Sequence, residues 1–142
     1  MNPIIQRLLE TGAEMDFVNG ANERDIALYE QSKGFKLPSD YREWLLFSNG
    51  GEIFVPGTQF FGVDTVSNYS LVNQNSKEIR SIFSLANFLL IIGRMNFGDL
   101  LCIDLNTNEI VQWDHETDEE FLRWSGFFAF LSEEIDSFID KV

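Results

Sequence analysis

At 142 residues, 44% of them hydrophobic and 14% aromatic, the chain has the size of a single domain and enough apolar side chain for a core of its own. Ten basic against 23 acidic residues give a net charge of −13, which repels phosphate backbones and argues against nucleic acid as a ligand. Cys102 is the sole cysteine, so no internal disulfide can form. Inside the apolar run Leu100 to Ile103 it reads as a buried, inert thiol.

The first residues, MNPIIQRLLETGAEMD, lack a basic leader followed by an apolar stretch and a small-residue cleavage site. No apolar run, Phe88 to Ile92 included, is long enough to span a bilayer. The expectation is a soluble, unsecreted protein of a reducing cytoplasm.

In chain order, Pro3 to Glu10 predicts a short helix, with Ile4, Ile5, Leu8 and Leu9 on one side and Gly12 as its stop. Asn22 is placed to cap a second helix, with Asp25 three residues on, and Gly34 to end it. A third helix is expected from Pro38 to Ser48, where Tyr41, Trp44 and Leu45 fall at i, i+3 and i+4 and so share a face. Asn49-Gly50-Gly51 closes it, since these residues tolerate the left-handed backbone that terminates helices.

From Glu52 the pattern changes to short apolar segments bounded by turn residues: Ile53 to Val55, the Pro56-Gly57 turn, and Gln59 to Val63. Between Asp64 and Phe83 the spacing of Val66, Tyr69, Val72, Ile79, Ile82 and Phe83 is helical but interrupted by Asn73, Asn75 and Ser76. One or two short helices, or a loop, fit it. Strands are predicted at Phe88 to Ile92, Leu100 to Leu105 and Ile110 to Asp114, the last two joined by Asn106-Thr107-Asn108 as an antiparallel hairpin. Trp124, Phe128, Leu131, Ile135, Phe138 and Val142 then recur at three- and four-residue steps, which predicts an amphipathic helix with Ser125 as its cap. Helices first, hairpin-linked strands next and a closing helix give an α+β fold in one domain, residues 1–142, with a mainly antiparallel sheet and the helices mostly on one face.

The stretch from Leu37 to Glu52 reads L-P-x-x-Y-x-x-W-L-x-x-x-N-G-G-E, and this pattern resembles the SUKH superfamily, which joins fungal cell-wall-synthesis regulators to bacterial toxin-immunity proteins. A second block resembles the family's glycine, aspartate and tryptophan marks in order: Ile92-Gly93, Gly98-Asp99, Ile103-Asp104 and Val111-Gln112-Trp113-Asp114-His115. The resemblance covers the chain from about Asn22 onward and implies the same α+β architecture. It also implies a domain that recognises other proteins without performing chemistry.

The candidate chemistry in the residues is sparse. His115, the only histidine, lies in Asp114-His115-Glu116; a general base beside a carboxylate can be drawn there, but no nucleophile pattern accompanies it. The default is a strand-end histidine beside Trp113. Asp104-Leu105-Asn106-Thr107-Asn108 opens like a calcium loop, yet Glu109 stands where the turn glycine belongs and His115 where a bidentate glutamate is required. No cofactor and no metal is expected. Asn49-Gly50-Gly51 follows a helix, whereas phosphate-cradling loops precede one.

A protein surface is the better candidate. From Asp114 to Val142 there are nine acids and two bases, a net of −7, and a field of that sign speeds encounter with a basic partner; general solubility is the plainer reading of the same charges. The run Asp114, Glu116, Asp118, Glu119 and Glu120 is the leading candidate surface, with Trp124 as an exposed aromatic anchor. Arg94, Met95 and Phe97, between Gly93 and Gly98, serve equally as a strand connection or as rim contacts. Trp44 and Trp113 are expected in the core. The expected function is that of an immunity protein that occludes a basic toxin domain such as a nuclease; the alternative is a regulatory scaffold of the cell-wall-synthesis type.

Overall fold

The computed structural model describes residues 1–141. Three helices lead the chain. α1, Pro3–Glu10, is capped by Asn2, whose Oδ1 accepts from Ile4 N and Ile5 N at 2.8 and 3.2 Å. α2, Glu23–Lys33, is capped by Asn22 through Asp25 N (2.8 Å) and ends at Gly34, whose φ of 78° is the left-handed closure glycine supplies at no steric cost. α3, Ser39–Phe47, buries Tyr41, Trp44 and Leu45.

The strands are β1 (Gly51–Ile53), β2 (Thr58–Phe60), β3 (Leu89–Arg94), β4 (Leu100–Asp104), β5 (Ile110–Asp114) and β6 (Glu119–Trp124). They form one six-stranded sheet in sequence order, every pair antiparallel. Two single-turn helices, α4 (Leu71–Gln74) and α5 (Lys77–Arg80), separate β2 from β3, and α6 (Phe127–Lys141) closes the chain.

The α3 exit explains the first sequence pattern physically. The Trp44 indole donates to Gly50 O (3.0 Å), the Tyr41 hydroxyl donates to Phe61 O (2.7 Å), and Asn49 Oδ1 accepts from Val63 N (2.8 Å). Gly50 and Gly51 carry φ of 102° and 87°, so the turn from α3 into β1 needs both glycines. Trp44, Phe60 and Phe127 then meet with ring centroids 5.3 to 5.6 Å apart, joining α3, β2 and α6 in one aromatic centre.

Ile103, Ile110 and Trp124 are opposed across β4, β5 and β6 and therefore share a face. Phe130 of α6 packs edge-on against Trp124 at 5.0 Å on that face, and α6 also contacts α1 and α3. The other face is covered by the α4–α5 segment. Asn75 there accepts from Ile91 N (2.9 Å) and donates to Ile91 O (2.7 Å), filling the place of a strand beside β3, while Arg80 donates to Leu89 O and Ala86 O. Consequently β3, β4 and β5 are buried on nearly every residue.

Several boundaries differ from expectation. Pairing begins at Gly51 and stops at Ile53, because Phe54 turns to a φ of 51°; the second strand spans Thr58–Phe60 instead of Gln59 to Val63, since Gly62 leaves the sheet to bridge Ser70. The acidic run Asp114 to Glu120 forms the end of β5, the turn and the first two residues of β6. Trp124 belongs to that strand and not to α6. The helix cap falls on Gly126 and not on Ser125: Asp40, reaching across from α3, accepts from Phe127 N at 2.8 Å. Val142, counted in the last helix from its spacing, lies outside the described residues.

Candidate functional site

At one end of the sheet the β3–β4 connection meets the β5–β6 turn. Gly98, at φ 107°, sits under the His115 ring so closely that a Cβ there would lie 2.9 Å from Nε2. Beside it Asp99, buried in front of β4, gathers three donors. Its Oδ2 accepts from the Gln112 side chain (2.8 Å) and its Oδ1 from His115 N (3.1 Å), with His115 Nδ1 at 2.6 Å from the same oxygen. Burial works against the charged carboxyl, but the hydrogen bonds from Gln112 and His115 outweigh it and hold Asp99 below the usual carboxylate range. The carboxylate beside His115 is therefore Asp99, and not the adjacent Asp114 that the sequence suggests. Among the described residues no hydroxyl or thiol hydrogen-bonds to His115, and its Nε2 looks toward Glu116 Oε1 at 3.9 Å. Cys102 is fully buried, and that burial pushes its thiol up to about 12, with Arg80 opposing.

Asp99, Asp114 and His115 bring one ligand atom each to within 4.8 Å of one another, and are the groups that could meet at a metal ion. Both Asp99 oxygens are already engaged as described, and Asp114 Oδ1 accepts from Glu116 N (2.8 Å) and Thr117 N (3.1 Å) to shape the turn. The arrangement works as a knot tying the start of β4 to the end of β5.

The five acids nominated from sequence separate into two groups. Asp114 builds the turn. Asp118, at φ 58°, accepts from the Ser84 hydroxyl (2.6 Å), from Ser84 N and from the Trp113 indole (3.0 Å), and these bonds hold its carboxyl low. Glu120 pairs with Arg123 (2.7 Å), whose guanidinium also holds Asp104 and Glu109, each at 2.8 Å. The Arg123 hydrogen bond lowers the Glu120 carboxyl; at Asp104 burial opposes the shift, but Arg123 and the backbone amides of Asn106 and Thr107 lower it too. Among the described residues, Glu116 and Glu119 are exposed and form no ion pair with a lysine or arginine.

The remaining nominees divide likewise. Trp124 is half-buried, its indole donating to Glu133 and its ring against Phe130, so it is a packed residue rather than an exposed anchor. Phe97 is exposed at the same end of the sheet as the Asp114–Asp118 turn, whereas Met95 is buried. Arg94 turns away into a separate pocket beside Gln59 and Phe83. Sequence reasoning missed the exposed apolar pair Phe121 and Leu122 on β6, and among the described residues the far edge of that strand pairs with no other strand.

Residues 20–133 match the SMI1/KNR4 family (SUKH-1). The chain belongs to that family. Membership places this SUKH-1 domain among protein-binding domains, and the span takes in every strand and the start of α6 while leaving α1 outside. Comparison with curated proteins finds no match. Both residue blocks that carried the resemblance have structural work in this SUKH-1 fold: Trp44 and the glycine pair close α3, and Gly98, Asp99, Gln112 and His115 form the knot. Among the described residues, no helix is long and apolar enough to cross a membrane.

Proposed function

We propose that this SUKH-1 domain is an immunity protein of the cytoplasm that neutralises a toxin by occlusion, without catalysis, through the sheet end and edge formed by the β5–β6 turn and β6. The observation that carries the reading is β6 itself: a strand exposed along nearly its whole length, with one edge unpaired, that presents Glu119 beside Phe121 and Leu122. Such an edge offers backbone hydrogen bonds to an incoming segment. The apolar pair supplies area that gains from desolvation, and Glu116 and Glu119 form a charged rim. With a net charge of −13 behind it, the surface suits a basic partner such as the substrate groove of a nuclease, where the carboxylates stand in for phosphates.

The test is co-purification of the tagged protein from its native cell at low and high salt, with the double variant Glu116→Lys, Glu119→Lys run in parallel. A stoichiometric basic toxin retained by the parent, released by salt and absent from the variant supports the proposal. A partner unaffected by both changes, or one belonging to wall synthesis, sinks it, the latter in favour of a regulatory scaffold.

A further inference from the structure

On the face of the sheet away from α6, Glu52, Gln59 and Arg94 stand in one row across β1, β2 and β3, since each opposes the next. They floor a pocket of about 460 Å³, walled by Phe61, Ile79 and Ile82. Its volume lies in the range of small-molecule sites, roughly 300–1,000 Å³.

Arg94 is the unusual member. Its guanidinium lies 6.0 Å from the Phe83 ring centroid, and its Nε is a buried atom without a hydrogen-bond partner among the described residues. It takes part in none of the ion pairs formed by the described residues. The other half-buried arginines are all satisfied: Arg7 by Asp136, Arg42 by Glu23 and Glu30, and Arg80 by carbonyls and Asn75. In a chain with more than twice as many acids as bases, a partly desolvated arginine left without a carboxylate is an open valence. Glu52, across Gln59 in the row, accepts from Gly57 N (2.9 Å), and a planar guanidinium on this polar floor beside apolar walls fits a carboxylate on an apolar body.

We propose that this pocket binds a small organic acid, its carboxylate on Arg94 and its apolar part against Phe61, Ile79 and Ile82. The site is independent of the β6 surface. The probe is 4-phenylbutyrate, titrated into the full-length protein while the Arg94 Nε–Hε NMR signal is followed, with 4-phenylbutyramide as the neutral control. A saturable millimolar shift of that signal is expected, with the amide at least about tenfold weaker because it cannot make a charge-assisted pair. Ile82 is 70% exposed, so Ile82→Glu keeps the fold, places a competing carboxylate at the mouth and abolishes the shift. Arg94→Gln, which lacks that signal, should in a folded protein abolish the saturable line broadening of 4-phenylbutyrate observed on the ligand. Equal binding of acid and amide, no saturation, or undiminished binding to Ile82→Glu overturns the proposal. So does binding confined to a peptide ending in phenylalanine, which would assign the pocket to a partner's chain terminus.

Discussion

β5 and β6 are neighbours in one hairpin, yet they live in opposite environments. β5 has Ile110, Val111 and Gln112 buried, with Trp113 at the border, and its far end is tied to Asp99. β6 pairs with it along its full length but is exposed on both sides except near Trp124. What separates them is position in the sheet: an inner strand inherits two covered faces and two paired edges, while the last strand receives one paired edge. The same contrast runs through the acidic residues. Asp99, Asp114 and Asp118 at the inner end and Glu120, held by Arg123, are consumed by the fold, and Glu116 in the turn and Glu119 at the start of β6 stay exposed.

Changes on the inner strand should therefore cost stability, and changes on the outer one should cost binding. The largest effect is expected at Ile110→Ala, which empties a site 1% exposed and should lower unfolding free energy by about 2–5 kcal/mol in urea titrations. Asp99→Ala follows, at about 2–4 kcal/mol, because it strands the buried Gln112 amide and loosens His115. A loss there no greater than at exposed Glu119 would break the contrast.

The titration of Asp99 sharpens it. Its folded-state carboxyl is held below the unfolded value, so the stability it contributes is present above about pH 4 and is lost as pH falls through the lower, folded-state value. Asp99→Asn should consequently flatten the acid limb of the stability curve below about pH 4 relative to the parent. An unchanged acid limb would mean that the Gln112 and His115 bonds contribute nothing net.

The smallest stability effect, under about 0.5 kcal/mol, is expected for Phe121→Ala, which lies 61% exposed on β6. The same substitution should weaken capture of the partner, measured by titration calorimetry once the partner is in hand. Loss of stability without loss of binding would move the interface off this strand.

The helices were legible because their signals are local: Asn2 and Asn22 cap, Gly34 closes, and Tyr41, Trp44 and Leu45 repeat on one face. The β4–β5 hairpin was legible for the same reason, with Asn108 taking a φ of 64° in its turn. β6 was not. A strand exposed on both sides shows no alternation, and Glu119-Glu120-Phe121-Leu122-Arg123-Trp124 extends only because β5 supplies a partner. The fates of Asp118 and Trp124 were hidden likewise, since Ser84 and Glu133 reach them through the fold, while Glu120 is taken up by Arg123, which Asp104 holds from across the sheet. Charge density marks where carboxylates are and says nothing about which have already been claimed.

The open edge of β6 also bears on the chain's behaviour toward copies of itself. Two such edges could pair strand to strand, and Glu116 and Glu119 stand where like charge opposes that approach. The carboxylates that would draw in a cationic partner thus double as a guard against self-assembly. Glu116→Gln combined with Glu119→Gln should therefore make sedimentation at neutral pH depend on concentration, whereas the parent should sediment independently of it.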